Sequence, residues 1–159
     1  MNLQDILFLS AGGTPEKGWD RNADSNGYAE ESRVFNYLET RLGIQQFVYI
    51  TVCQRESTDI TSDIMAKICT YIYESPATSI VLIYGENAFP KFAEYIDYCG
   101  FREKIKDKRL VGVSATIPVA VEGSDVLLLL GYAAALARTS LPGIYFCKQP
   151  FVHTEIVKW

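Results

Sequence analysis

The chain has 159 residues, enough for one domain with a sizeable core, and its balance of 48% hydrophobic to 21% charged residues excludes a disordered composition. Net charge is -4, and the only concentration of basic side chains, from Arg102 to Arg109, is interleaved with Glu103 and Asp107. Such a run reads as a solvated helix face or loop, so a nucleic-acid duplex is not expected as a partner.

Apolar runs of strand length alternate with stretches of helical period, the pattern of a mostly parallel sheet covered on both faces. The first predicted strand, Ile6 to Leu9, runs into Ser10-Ala11-Gly12-Gly13-Thr14. A polar loop rich in Gly, Asn and Asp follows to about Gly27, and long ordered loops are often functional. Helix one is expected from about Tyr28 to Leu42, with Val34, Phe35, Leu38 and Leu42 on one face and Gly43 as its stop. Strand two is Phe47 to Val52. Helix two begins after Thr58 or Asp59 and carries Ile60, Ile64, Ile68 and Ile72 at four-residue spacing, a core stripe.

Strand three, Ile80 to Tyr84, leads into Gly85-Glu86-Asn87. Helix three spans roughly Phe89 to Cys99, with Pro90 tolerated in its first turn and Gly100 closing it. Strand four is Leu110 to Val113. Helix four begins at Ser124 as N-cap, with Asp125 behind it. From Val126 to Ala137 it is apolar nearly all round, which requires cover on every side. Either it lies centrally or it packs on a second copy of the chain, and Gly131 with Ala135 allows close approach. Strand five is Ile144 to Cys147, and the tail to Trp159 either extends the sheet or docks on a partner. The fold class is therefore α/β: a three-layer α/β/α domain with a five-stranded, mostly parallel sheet of the flavodoxin-like or Rossmann-like kind, over residues 1–159 as a single domain.

Cys53, Cys69, Cys99 and Cys147 lack the close spacing of a zinc ribbon or redox pair, and His153 is the sole histidine, so no metal site is expected. Cys69 and Cys99 fall on apolar helix faces, as small hydrophobes do. Free thiols, no signal peptide and no run long enough to cross a bilayer together predict a cytoplasmic protein without a membrane partner.

In open parallel sheets, ligands bind beyond the carboxyl ends of the strands. Those ends deliver Ser10, Gly12, Gly13 and Thr14 from strand one, and Cys53, Gln54, Arg55 and Glu56 from strand two. Glu86 and Asn87 follow strand three, Ser114 and Thr116 follow strand four, and Lys148 follows strand five. The Gly12-Gly13 turn can bring backbone N–H groups close to a phosphate or carboxylate. It is neither a dinucleotide fingerprint nor a P-loop. Glu86, and Glu94 further along the helix, are the candidate nucleophile, general base or ribose acceptor. Cys53 has no nearby histidine in the sequence to activate it, and there is no Gly-x-Ser-x-Gly elbow.

From Asp63 to Ile117 the chain resembles the TIR-like domains of bacterial immune signalling. The residues that carry the resemblance are Asp63 to Ile68, Thr78 to Asn87, the helix with Phe89, Phe92 and Glu94, and Leu110 to Val113. The resemblance implies cleavage of NAD at the nicotinamide bond by a glutamate falling on Glu94, although Lys91-Phe92 stands where that family has Trp-Cys. The same stretch resembles the N-terminal half of LD-carboxypeptidases, with Tyr95 to Tyr98 in the matching helix and Ala88-Phe89 in place of the family's serine. The strand-one turn and element order are also similar to CARF domains, which sense cyclic oligoadenylates. Together these imply a small-molecule ligand, a nucleotide or small anion, sensed or acted on at Ser10, Gly12, Gly13, Thr14, Arg55, Asn87, Ser114 and Thr116, with Glu86 and Glu94 in the catalytic roles. The cofactor is left unassigned. The alternatives are a non-catalytic, CARF-like sensor or interaction module that dimerises through residues 126–137, and an inactive relative of the LD-carboxypeptidases.

Overall fold

The computed structural model describes residues 3–18, 27–149 and 152–158. The strands are β1 (Ile6–Gly12), β2 (Val48–Arg55), β3 (Ser79–Ile83), β4 (Arg109–Val113), β5 (Gly143–Lys148) and β6 (Val152–Lys158). The helices are α1 (Arg33–Thr40), α2 (Ser62–Glu74), α3 (Phe89–Tyr98) and α4 (Val126–Thr139). The sheet order is β2-β1-β3-β4-β5-β6. The first five strands are parallel and β6 pairs antiparallel with β5.

Side chains alternate between the two faces of a strand, and here each face has its own helices. Leu7, Leu9, Ile80 and Leu82 pack with Ile68 and Ile72 of α2 and with Phe92 and Ile96 of α3. Ile6, Phe8, Val81 and Val111 pack with Val34 and Phe35 of α1 and with Leu129, Ala133 and Ala137 of α4. The domain is thus the three-layer α/β/α sandwich that the alternating pattern implies. Burying each large aliphatic side chain stabilises it by roughly 1.5–3 kcal/mol. On the α2/α3 side, Phe89 stacks on Phe146 with ring centroids 4.7 Å apart. Gly112 makes room for it, since a Cβ there would stand 2.2 Å from the Phe89 ring.

Several boundaries differ from the sequence expectation. The tail forms a sixth strand. Helix α1 starts at Arg33 rather than near Tyr28, because Ser32 caps it: the Ser32 hydroxyl accepts from the Phe35 amide at 3.1 Å. Helix α4 starts at Val126, with Asp125 rather than Ser124 in the cap position. It is also not covered on every side: Leu128 is 64% exposed, and Gly131 and Ala135 are exposed beside it. The basic run is only partly solvated. Lys108 Nζ donates to the Ser75 and Ala77 carbonyls at 2.7 and 2.8 Å, and Arg109 Nε donates to Ser140 O at 2.6 Å, so both fasten loops at the amino ends of the strands. Cys69 is buried as expected, but Cys99 is exposed at the end of α3. The polar loop expected up to Gly27 falls largely on residues 19–26, outside the described residues.

Candidate functional site

With strand order 2-1-3-4-5 followed by an antiparallel edge, the chain reverses direction across the sheet between β1 and β3, the switch point where a crevice opens at the carboxyl ends. The turn after β1 occupies that crevice. Gly12 and Gly13 have φ of 98° and 84°. Gly13 lies so close to β3 that a Cβ would be 2.8 Å from the backbone of Gly85. No other residue type fits both the dihedral and the contact. The Gly13 amide is already engaged, donating to Arg55 O at 3.1 Å, and so is not free to cradle an anion. Pro15 then starts a single 3-10 turn, Thr14–Glu16. Thr14 is half-buried at its head.

Around Thr14 and the glycine turn stand charges of both signs. Lys17 pairs with Glu56 at 2.7 Å, and Lys148 pairs with Glu86 at 2.5 Å across the ends of β3 and β5. Tyr28 enters beside Glu56 and the Gly13 amide. Its hydroxyl oxygen is buried yet makes no hydrogen bond of good geometry. Burial pushes the phenol well above its ordinary value and the Glu56 carboxylate adds to this, so Tyr28 remains a protonated donor at neutral pH.

The other expected site residues divide by position. Ser10 is fully buried and donates to Glu16 Oε1 at 2.6 Å, so it braces the turn from below rather than lining the rim. Arg55, Glu86, Asn87 and Thr116 are exposed at the rim. Ser114 is buried, its amide donating to Cys147 O at 3.1 Å. Glu94 is exposed on α3. At 1.5 Å per residue it lies about 10 Å along the helix from Asn87, so the rim does not bring it together with Glu86. Cys53 donates to Ala11 O at 3.4 Å, and burial pushes its thiol up, away from reactivity.

Sequence reasoning missed Glu16, Lys17 and Tyr28 as site residues. It also missed the role of Asp125, whose carboxylate accepts from the Thr116 and Ile117 amides at 3.0 and 2.9 Å and shapes the loop after β4. Burial alone would raise the Asp125 carboxyl, but those amides hold it below its ordinary value. Two open surface pockets lie away from the strand ends' centre. One of about 330 Å³ sits at the opposite, amino end beside Gln4 and Pro76. Another of about 420 Å³ runs between α1 and the β4–α4 loop, lined by Ser32, Arg33, Tyr37 and Val119. Among the described residues no cluster of three or more His, Cys, Asp or Glu is placed to hold a metal ion, and no helix is long and apolar enough to cross a membrane.

The fold and the strand order define a three-layer α/β domain with a candidate site at a sheet switch point. Solved structures with this fold include the thermostable L-asparaginase from Thermococcus kodakarensis, with TM-score 0.68 and 20% identity over 89% of this chain and 43% of that one. A probable cytoplasmic L-asparaginase from Campylobacter jejuni is similar to the same degree, with TM-score 0.68 and 19% identity over 89% of this chain and 44% of that one. The chain therefore spans less than half the length of either structure. No family model matches the sequence, and no curated protein matches it.

Proposed function

We propose that the domain binds a small zwitterionic amide of the asparagine class at the carboxyl rim of the sheet. The observation that carries this reading is the grouping at the β1 turn: the buried Tyr28 hydroxyl beside Glu56 and the Gly13 amide, the half-buried Thr14 and the Lys17–Glu56 pair. The fold shared with L-asparaginases supports it. A free amino acid carries a carboxylate and an ammonium, and the two rim ion pairs offer a matching cation and anion for each. The protonated Tyr28 phenol would turn from Glu56 to donate to the ligand's amide oxygen. Binding is favoured over turnover because no base is hydrogen-bonded to Thr14 among the described residues and Glu56 is engaged by Lys17. Calorimetric titration with L-asparagine, L-aspartate and L-glutamine tests this. Asparagine is expected to bind, and Tyr28→Phe to weaken it about tenfold for one lost hydrogen bond. Asparagine heats unaffected by Tyr28→Phe would overturn the assignment of the rim.

A second reading is a nucleotide or small-anion ligand at the same crevice, the TIR-like alternative. It is favoured by the position of the crevice at the β1/β3 switch point, where flavodoxin-like sheets hold nucleotides. In that reading Glu86 contacts ribose or acts in glycosidic cleavage. Stabilisation by ADP-ribose or NAD, lost in Glu86→Gln, would support it over the amide reading.

The interaction role belongs to a different surface. Exposed Leu42 lines an apolar gap of about 170 Å³ between α1 and α4, together with Leu38, Phe47 and Leu127 among others, and Leu128 is exposed elsewhere on α4. A homodimer through α4 would cover it. Light scattering that shows a monomer at all accessible concentrations would exclude the dimer.

A further inference from the structure

Glu16 is a carboxylate with no exposure and no cation among its hydrogen-bond partners. One oxygen accepts from Ser10 Oγ at 2.6 Å and Ser32 Oγ at 2.5 Å; the other accepts from the Val34 amide at 3.1 Å. Each hydroxyl is itself tied further: Ser10 accepts from Gln54 Nε2 at 2.9 Å, and Ser32 accepts from the Phe35 amide at 3.1 Å. The Ser32 amide also donates to Thr51 Oγ1 at 3.3 Å. One carboxylate thus joins β1, the first turn of α1 and, through Gln54 and Thr51, the edge strand β2.

Burial pushes the Glu16 carboxyl up despite these donors, so holding it there has a stability cost. An apolar side chain could fill the space without that cost. What an apolar side chain could not do is fix the direction of two chain ends. Glu16 sits just after the glycine turn, and Ser32 and Val34 sit where the chain returns. Between them, Gly18 N donates to Gly27 O at 3.2 Å, and the Arg33 guanidinium packs on Gly18 while reaching Gly27 O at 3.4 Å. The next residue is Tyr28, placed beside Gly13 and Glu56.

We propose that Glu16 is the positioning residue of the rim: its carboxylate ties the Thr14 turn to the N-terminus of α1 and thereby holds the Tyr28 hydroxyl over Gly13. The inference rests on reading the rim as a binding site. Glu16 itself touches no ligand there.

The substitution Glu16→Gln keeps the volume but turns one acceptor into an amide donor, which cannot satisfy both serine hydroxyls and the Val34 amide at once. The test has two arms. In the first, the protein is labelled with carbon-13 at the tyrosine ζ position, and the Tyr28 resonance (assigned with Tyr28→Phe) is followed against pH. The wild-type signal is expected to titrate well above the ordinary phenol value of about 10, whereas in Glu16→Gln it shifts at neutral pH and titrates near that ordinary value. In the second, calorimetry with L-asparagine is run on Glu16→Gln, Tyr28→Phe and the double variant. Glu16→Gln is expected to weaken binding about tenfold, and the double variant to bind no more weakly than Tyr28→Phe alone. A Tyr28 signal unchanged by Glu16→Gln overturns the proposal, as do two affinity losses that simply multiply. If asparagine does not bind the wild type, the amide reading fails while the resonance arm still decides the role of Glu16. Should Glu16→Gln not fold, Ser10→Ala removes one of the two hydroxyl links and is read in the same way.

Discussion

Replacing Gly13 by alanine perturbs the site at its most constrained point. Two costs follow from the structure. The residue has φ of 84° and ψ of -177°, a region essentially restricted to glycine, where an L side chain is strained by roughly 1–3 kcal/mol. The new Cβ would also stand 2.8 Å from Gly85 Cα and N and 3.1 Å from the Tyr84 carbonyl carbon. These are backbone atoms, with no rotamer to swing away, so the ends of β1 and β3 must part by several tenths of an ångström. Overpacking of this kind costs typically about 1–3 kcal/mol, giving roughly 2–6 kcal/mol in all. Gly43→Ala is the internal control: its φ is 65°, but nothing lies within 4 Å of a Cβ there. It carries only the dihedral cost of roughly 1–2 kcal/mol. Urea unfolding of both variants beside the wild type measures the gap from the midpoints at constant m-value. Gly13→Ala is expected to be the less stable by about 1–3 kcal/mol and to lose ligand affinity as well. Equal destabilisation of the two variants would refute the close approach of the turn to β3.

Four further outcomes follow from the packing. Asp125, held low by the Thr116 and Ile117 amides, contributes stability that is fully present above its unfolded value of 3.8 and is lost as pH falls through the lower folded value. The stability gap between wild type and Asp125→Asn should therefore narrow between pH 6 and about pH 2, and a gap that stays constant would remove the carboxylate from the account. Leu129, with no exposure, should cost about 2–5 kcal/mol on truncation to alanine. Leu128→Glu, at a position 64% exposed, should leave stability nearly unchanged and, if α4 is the dimer face, abolish the concentration-dependent mass seen by light scattering. Gly112→Ala should destabilise by about 1–3 kcal/mol through the Phe89 ring, and adding Phe89→Leu should recover part of it; no recovery would locate the clash elsewhere.

The sheet was legible because its central strands are buried on both faces and read as unbroken apolar runs, such as Ser79–Ile83, whose residues are all buried. The last strand was not, because Val-His-Thr-Glu-Ile-Val-Lys alternates and mixes charge, as an edge strand does, and nothing local separates that from a tail. Helix α1 was drawn too long at its start because Tyr28 and Ala29 suit a helix; Ser32 three residues before Phe35 is the cap signal that could have corrected it. At the site, the glycine turn and Glu86 could be placed by counting from strand ends. Glu16 could not. In a polar stretch after Gly-Gly-Thr-Pro a glutamate looks solvated, and only the tertiary meeting of Ser10 and Ser32 buries it. Tyr28 likewise reads in the sequence as the first residue of a helix, since its position beside Glu56 depends on how the chain returns to β2.

The most direct test of the central claim is a thermal-shift comparison of L-asparagine with ADP-ribose and NAD on the wild type and on Tyr28→Phe. A ligand that binds only the folded state raises the midpoint by mass action, by about 2.7 kcal/mol at a hundred times its Kd. The account expects asparagine to raise the wild-type midpoint, Tyr28→Phe to need about tenfold more asparagine for the same rise, and the nucleotides to leave both proteins unmoved. A rise with ADP-ribose or NAD and none with asparagine would contradict it and assign the rim to a nucleotide.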